Sequence, residues 1–217
     1  MVVAEIGCGT GTAARELAAL VRPDGHVHGF DISEQLVALA RNRTAAEGKE
    51  VDFKVADAAG LLLSDSCLDA YRAERVYMHV KHPEAALAEA FRVLRRGGRI
   101  LIMDQDWDTL LFDGDLAATR ALTRVFADSM VNGTIARRMR PLLRQAGFDD
   151  IAIAPEAVVV TDGSAFGWLV DTVGKAGLAA GLDSAMVGAW MDDQRRRIAK
   201  DRFLFASTHF VTVARRP

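Results

Sequence analysis

Near the start of the chain, three glycines and three carboxylates are spaced as a ligand loop and its acceptors would be. Gly7, Gly9 and Gly11 alternate directly after the apolar run Met1–Ile6. Glycine permits positive φ and lets a ligand approach the backbone closely. A dinucleotide loop needs a further glycine where this chain has Thr12, and a phosphate-cradling loop needs a Lys-Ser/Thr pair that is absent. Glu5, Asp31 and Asp57 fall at or near the ends of apolar stretches. Asp31 stands 20 residues after Gly11, where a carboxylate can accept from both hydroxyls of a ribose. So much negative charge repels a phosphate-bearing ligand. It favours one that joins ribose and adenine to a positive centre. Further along, Tyr77, His79, His82, Asp104, Asp106 and Trp107 form a second group able to act on a bound partner.

These residues need elements to position them. The pattern predicts a strand over Met1–Ile6, then a helix with Ala13, Leu17, Leu20 and Val21 on one face, ended by a turn at Pro23-Asp24-Gly25. A strand over His26–Phe30 stops at Asp31. Ser33 caps a helix running to about Glu47, with Leu36, Val37, Leu39 and Ala40 inward and Gly48 closing it. Val51–Val55 and Leu68–Met78 read as strands, and Pro83–Arg95 as a helix packing Ala86, Leu87, Ala90, Phe91 and Leu94. Gly97 and Gly98 end it before a strand over Arg99–Met103 that stops at Asp104. Such alternation predicts an α/β fold with a parallel, doubly wound sheet. The carboxyl ends of its strands form a ligand crevice. The second half predicts helices over Asp113–Val131 and Thr134–Ala146, a strand over Asp150–Thr161, helices over Ser164–Ala180 and Ser184–Lys200, and a strand over Phe203–Arg215. With no internal repeat or linker, one domain over 1–217 is expected. Residues 1–106 form its cofactor-binding half; 107–217 form a substrate-shaping half with inserted helices.

Composition narrows the classes. The chain has 217 residues, 50% apolar and 26% charged, enough to bury a core. Its 27 Lys and Arg against 29 Asp and Glu give no electrostatic reason to expect a nucleic-acid or anionic-membrane surface. Two cysteines, Cys8 and Cys67, make neither a disulfide framework nor a zinc cluster. No signal peptide and no apolar run long enough to span a membrane is visible, so a cytoplasmic protein is expected.

The segment Val3–Thr12 (VAEIGCGTGT) resembles the first motif of class I S-adenosylmethionine-dependent methyltransferases. Val27–Glu34 (VHGFDISE) resembles their second motif, and Val55–Ala58 (VADA) their adenine-contacting segment. Glu84–Gly98 (EAALAEAFRVLRRGG) is similar to a passage of the small-molecule branch that includes the ubiquinone and menaquinone biosynthesis enzymes. Leu142–Phe148 continues the likeness loosely. The resemblance implies a Rossmann-like, seven-stranded, mostly parallel sheet with its last strand antiparallel and helical insertions in the C-terminal half. It implies S-adenosylmethionine as cofactor, S-adenosylhomocysteine as product and a small organic substrate methylated at oxygen, nitrogen or carbon. Gly7 and Gly9, with Cys8, Thr10 and Gly11, would carry the loop under the methionine part, whose ammonium Glu5 would hold. Asp31 would bind the ribose, Ile32 would pack on the adenine, and Asp57 and Ala58 would contact its edge. Tyr77 would lie at the methyl-transfer opening.

Methyl transfer from a sulfonium asks the protein mainly to align the reactants and exclude water. A base is needed only where the acceptor must lose a proton. Tyr77 and His79 are the candidate catalytic residues. Histidine titrates near neutrality and so suits a base; the competing reading of His79 is a residue that orders the loop before Pro83. His82 reads as a loop residue. Asp106 and Trp107 are candidate substrate contacts, with Trp107 either stacking on a flat substrate or capping the sheet. Asp104, Asp106 and Asp108 alternate as hard-cation ligands do, but lack a matching acidic partner after the fourth strand, so no metal is expected. Arg137-Arg138-Met139-Arg140 and Arg195-Arg196-Arg197 read as solvated helix faces, and Phe166, Trp168, Met186 and Trp190 as pocket lining or packing. Glu74-Arg75-Val76-Tyr77 stands where enzymes acting on the amino groups of bases carry Asn/Asp-Pro-Pro-Tyr, which weighs against nucleic acid as substrate. Family members usually have helices before the first strand, whereas Met1 opens that strand here. The rival expectation is therefore a cofactor-binding protein with impaired or no catalysis. A nicotinamide oxidoreductase is disfavoured by Thr12. An exposed first strand or pocket would favour a homodimer.

Overall fold

Residues 1–21, 24–46 and 50–217 are described by the computed structural model. The expectations resting on Pro23 and on Gly48 lie outside them. The chain runs β1 (Val2–Ile6), α1 (Thr12–Leu20), β2 (His26–Asp31), α2 (Glu34–Ala46), β3 (Asp52–Val55), β4 (Leu68–Glu74), α3 (Pro83–Val93) and β5 (Leu94–Phe112). It continues through α4 (Leu116–Ser129), α5 (Ile135–Gln145), β6 (Asp149–Val160), α6 (Gly167–Ala179), α7 (Ser184–Ala199) and β7 (Phe205–Arg215). The strands form one seven-stranded sheet in the order β3-β2-β1-β4-β5-β7-β6. β1 pairs in parallel with β2 and β4, β2 with β3, and β4 with β5. The last strands are antiparallel, and Gly97 N–H and Arg216 N–H donate across to Arg216 and Gly98 carbonyls at 2.8 and 2.9 Å. This is the Rossmann-like arrangement expected. β1 lies between two partners, so it is not the exposed strand that the dimer expectation invoked.

Helix α1 packs Val21 and, in part, Leu17 inward as expected, but not Leu20. Gly11, at φ 80°, leads into the helix and sets its phase. Ala14, Ala18 and Val21 are buried, while Leu20 is 80% exposed. Small residues let the helix lie close to the sheet, where Ala14 and Ala18 share a cluster with Val3, Val27, Val37, Ala40 and Phe53. Likewise α2, capped by Ser33 Oγ accepting from Leu36 N–H at 3.3 Å, buries Val37, Ala40 and Thr44 and leaves Leu36 and Leu39 exposed. Packing overrides the larger apolar side chains in both helices.

Two strand boundaries also differ. β4 stops at Glu74, not Met78, because Arg75 takes a positive φ of 56° and the chain enters a 3-10 turn over Tyr77–His79. β5 does not stop at Asp104 but continues to Phe112.

The residues cluster into two compact units. The first comprises Met1–Asp104, Arg138–Ala154 and Val211–Pro217. In it, Phe91 meets Phe148 edge-on at 5.2 Å and the Arg216 guanidinium lies 4.6 Å from the Phe91 ring centre. The second comprises Gln105–Arg137 and Pro155–Phe210. Its core is aromatic: Phe112 meets Trp190 at 5.3 Å and Phe205 at 5.8 Å, and Phe166 meets Phe205 at 5.2 Å. The Trp190 indole N–H is satisfied by Thr119 Oγ1 at 2.9 Å. Phe166 and Trp190 are thus packing residues here, whereas Trp168 is exposed. Asp115 and Asp183 cap α4 and α7 through Ala118 and Met186 N–H. No helix among the described residues is long and apolar enough to cross a membrane.

Candidate functional site

The three glycines of the loop between β1 and α1 have φ of 63°, 52° and 80° at Gly7, Gly9 and Gly11. They serve different purposes. A Cβ on Gly7 would stand 2.5 Å from Val76 Cγ2, and one on Gly11 2.7 Å from Phe53 Cζ. A Cβ on Gly9 would meet nothing within 4 Å, so the loop presents open space there. Asp31 ties this loop to the end of β2. Its Oδ2 accepts from Gly9 N–H and its Oδ1 from Ser33 N–H, both at 2.9 Å. Cys8 N–H donates to the Phe30 carbonyl at 2.9 Å.

A cleft of about 600 Å³ opens beside the loop. Asp31, Ile32, Asp57 and Ala58 line it together with Gly7 and His79. The ends of the four neighbouring parallel strands β3, β2, β1 and β4 and the residues after them bring these groups together, as strand order requires. Ile32 is 73% exposed, an apolar face held out to the cleft. Asp57 Oδ1 accepts from Ala59 N–H at 2.8 Å, which fixes the turn after β3.

A second depression of about 390 Å³ shares Gly7 and Arg75 with the first. Glu5, Cys8, Gly9, Thr10, Arg72 and Glu74 also line it. Glu5 is buried. Its Oε1 accepts from the Arg72 guanidinium, which also donates to Glu74, while its Oε2 is buried without a hydrogen-bond partner. Burial pushes the Glu5 carboxyl up to about 7 against the opposing pull of Arg72. Burial, with Asp31 and Glu5 nearby, pushes the Cys8 thiol up to about 12, which makes it a packing residue and not a nucleophile. Thr10 lines the depression, and its carbonyl accepts from Arg15 at 3.0 Å. Gly11 lines neither space.

The acceptor-side candidates separate. His79 is exposed on the cleft wall, carried by the turn after β4. That turn is held by Asp104, whose carboxylate accepts from Tyr77 and Met78 N–H at 3.2 and 3.3 Å. Burial pushes Asp104 up to about 7. Tyr77 does not reach an opening. It is fully buried, with its hydroxyl 3.0 Å from that of Tyr71, and burial holds its phenol well above the usual range. Asp106 is buried and accepts from Arg137, at 3.1 Å through Nη2, while Asp108 accepts from the same nitrogen at 2.9 Å. Trp107 packs edge-on against Phe126 at 5.0 Å, and its backbone N–H donates to the Gly133 carbonyl. His82 lines the cleft with Lys81, Arg75 and Val76. Of these, Arg75 and Lys81 were missed by the sequence reading, as was Arg72. Arg72 faces Glu5 only because β4 pairs with β1 in that register.

Residues 1–147 match a family model described as a methyltransferase domain. The chain is 37% identical over 215 residues to an uncharacterised 37.1 kDa protein of a transposon of Streptomyces fradiae, covering 97% of this chain and 61% of that protein. It is 26% identical over 164 residues to the ubiquinone/menaquinone biosynthesis C-methyltransferase UbiE of Burkholderia orbicola, covering 69% of this chain and 68% of the relative. The solved structure of the YcgJ protein from Bacillus subtilis shares the fold, with a TM-score of 0.69 at 16% identity over 99% of this chain and 91% of that one. The chain thus spans about three fifths of the transposon protein's length.

Proposed function

From its membership of the methyltransferase-domain family, we propose that this chain transfers a methyl group from S-adenosylmethionine to a small organic acceptor, at oxygen, nitrogen or carbon. The observation that carries the proposal is convergence: Asp31, Ile32, Asp57 and Ala58 share one cleft, and the adjoining depression holds a buried Glu5 oxygen that lacks a donor. That oxygen fits an ammonium, and the open side of Gly9 fits a ligand against the backbone. Asp31 would accept from the ribose hydroxyls, Ile32 would cover an adenine face, and Asp57 and the Ala58 backbone would meet the adenine edge. Glu5 would hold the amino group of the methionine part.

When bound, the cofactor supplies a methyl carbon on a sulfonium that leaves as a neutral thioether. The chain's own residues then align and shield. His79, on the cleft wall, is placed to take a proton from an acceptor that must lose one. Asp104 positions His79 by holding the backbone of its turn, and Tyr77 packs behind that turn against Tyr71. Asp106 and Trp107 take no chemical step, since Arg137 engages the one and Phe126 packs against the other. Balanced charge supports a small acceptor over nucleic acid.

Calorimetric titration with S-adenosylhomocysteine and with NAD tests the cofactor, and release of S-adenosylhomocysteine over a panel of small acceptors tests the transfer. Micromolar binding of S-adenosylhomocysteine and none of NAD is expected. Preference for NAD would overturn the reading. Tight binding with no turnover on any acceptor would replace it with a non-catalytic cofactor-binding protein.

A further inference from the structure

We propose that His26, His28 and Asp52 form a binding site for a divalent transition-metal ion of the zinc class, bridging β2 and β3 at their amino ends. The site is separate from the cleft. His26 opens β2 and Asp31 closes it, so at about 3.3 Å per residue the two lie about 16 Å apart along the strand.

Strand geometry brings the three ligands together. Side chains two residues apart in a strand share a face, which puts the His26 and His28 imidazoles side by side with ring centres 4.5 Å apart. Parallel pairing sets Asp52 of β3 opposite His28. The ligand atoms of all three residues lie within 4.8 Å of one another. His28 Nδ1 and Asp52 Oδ2 are 3.1 Å apart. Two ligands about 2.0–2.1 Å from a tetrahedral zinc lie about 3.4 Å from each other, so this pair is close to the required spacing. His26 is exposed and can rotate into place.

The ligand types select the ion. Two imidazoles and one carboxylate suit zinc, nickel, copper or cobalt, whereas magnesium and calcium take oxygen sets. Three protein ligands leave a fourth position for water. One group competes: Lys54 Nζ lies 2.7 Å from Asp52 Oδ2. Its side chain is 38% exposed and can swing into water, at a cost that weakens the metal's affinity. β3 is a four-residue strand at the sheet edge, paired with β2. A metal across the two would clip that edge in place.

Tag-free protein stripped with a chelator is titrated with zinc chloride by calorimetry, and with cobalt(II) by visible absorption. One zinc per chain at micromolar concentration is expected, with the intense cobalt bands of tetrahedral coordination. His26→Ala, a surface change that leaves the sheet intact, should weaken binding at least tenfold, and Asp52→Asn similarly. Lys54→Gln should tighten it several-fold by removing the competing ammonium. Zinc should raise the unfolding temperature of the natural chain and not of His26→Ala. Absence of saturable binding, or binding unchanged by His26→Ala and by Asp52→Asn, would overturn the proposal.

Discussion

Carboxylates at the ends of β2 and β3 and those in the middle of β5 are alike in sequence and opposite in use. Asp31 spends its oxygens on two backbone N–H groups and still lines an open cleft; Asp57 does much the same with one. Asp106 and Asp108 are drawn to one guanidinium, that of Arg137, and Asp106 is buried beneath it while Arg137 stays half exposed. Asp31 and Asp57, fixed by backbone donors at the rim of the cleft, keep spare lone pairs for a ligand. Asp106, buried and matched by Arg137, is framework. The contrast lies in what stands opposite each group, and five measurements can break or sharpen it.

The largest effect should come from Asp31→Ala. It removes the proposed ribose acceptor and unties the loop at Gly9, so S-adenosylhomocysteine affinity should fall about 100-fold, the scale of a lost charged hydrogen bond. Calorimetry beside circular dichroism separates lost binding from lost fold, and a change under twofold would erase the distinction. Asp106→Asn should do the reverse. Affinity stays within twofold, while urea unfolding shows a loss of about 2 kcal/mol, below the full cost of breaking a buried pair because Arg137 is half exposed. Weakened binding at unchanged stability would instead move Asp106 into the binding site.

Proton linkage gives the next effect. Glu5 must lose its proton to receive an ammonium, and burial lifts it to about 7. Affinity for S-adenosylhomocysteine should therefore fall up to tenfold per pH unit below about 7 and level off above it. Glu5→Gln should bind weakly with no such slope. Stability runs the other way. An unfolded chain releases the Glu5 and Asp104 protons in the ordinary carboxylate range, the folded chain only near 7, so rising pH between those limits costs stability through these two groups. Asp104→Asn should flatten that decline in urea titrations at pH 5 and pH 7.5. The smallest change is expected for Ile32→Ala, about a threefold loss of affinity with unchanged unfolding, since the side chain is exposed and in the proposal would cover only one ligand face.

Much of the cleft was legible because its determinants are local. A strand, a glycine loop and a helix in succession announce a turn with positive φ, and a carboxylate after an apolar run marks a strand's end. Adjacent parallel strands must bring such ends together, which is why Asp31, Ile32, Asp57 and Ala58 meet. Leu20, Leu36 and Leu39 were placed inward because hydrophobicity favours them, whereas close approach to the sheet selects Ala14 and Ala18 in α1 and, as expected, Val37 and Ala40 in α2. Tyr77 was expected at an opening because nothing in Glu74–His79 discloses that Arg75 bends the chain and Asp104 grips the turn.

By itself the sequence determined the alternation of strands and helices, the glycine loop of positive φ, and the carboxylates at strand ends that line one cleft. Each follows from neighbouring residues and from backbone sterics that act over a few positions. The tertiary structure alone decided partners. Glu5 meets Arg72 through the register of β1 on β4, Asp106 meets Arg137 across 31 residues of chain, and His26 and His28 meet Asp52 through β2 on β3. A side chain's charge is written in its type, but whether that charge is cancelled, buried or left open depends on which distant segment packs against it.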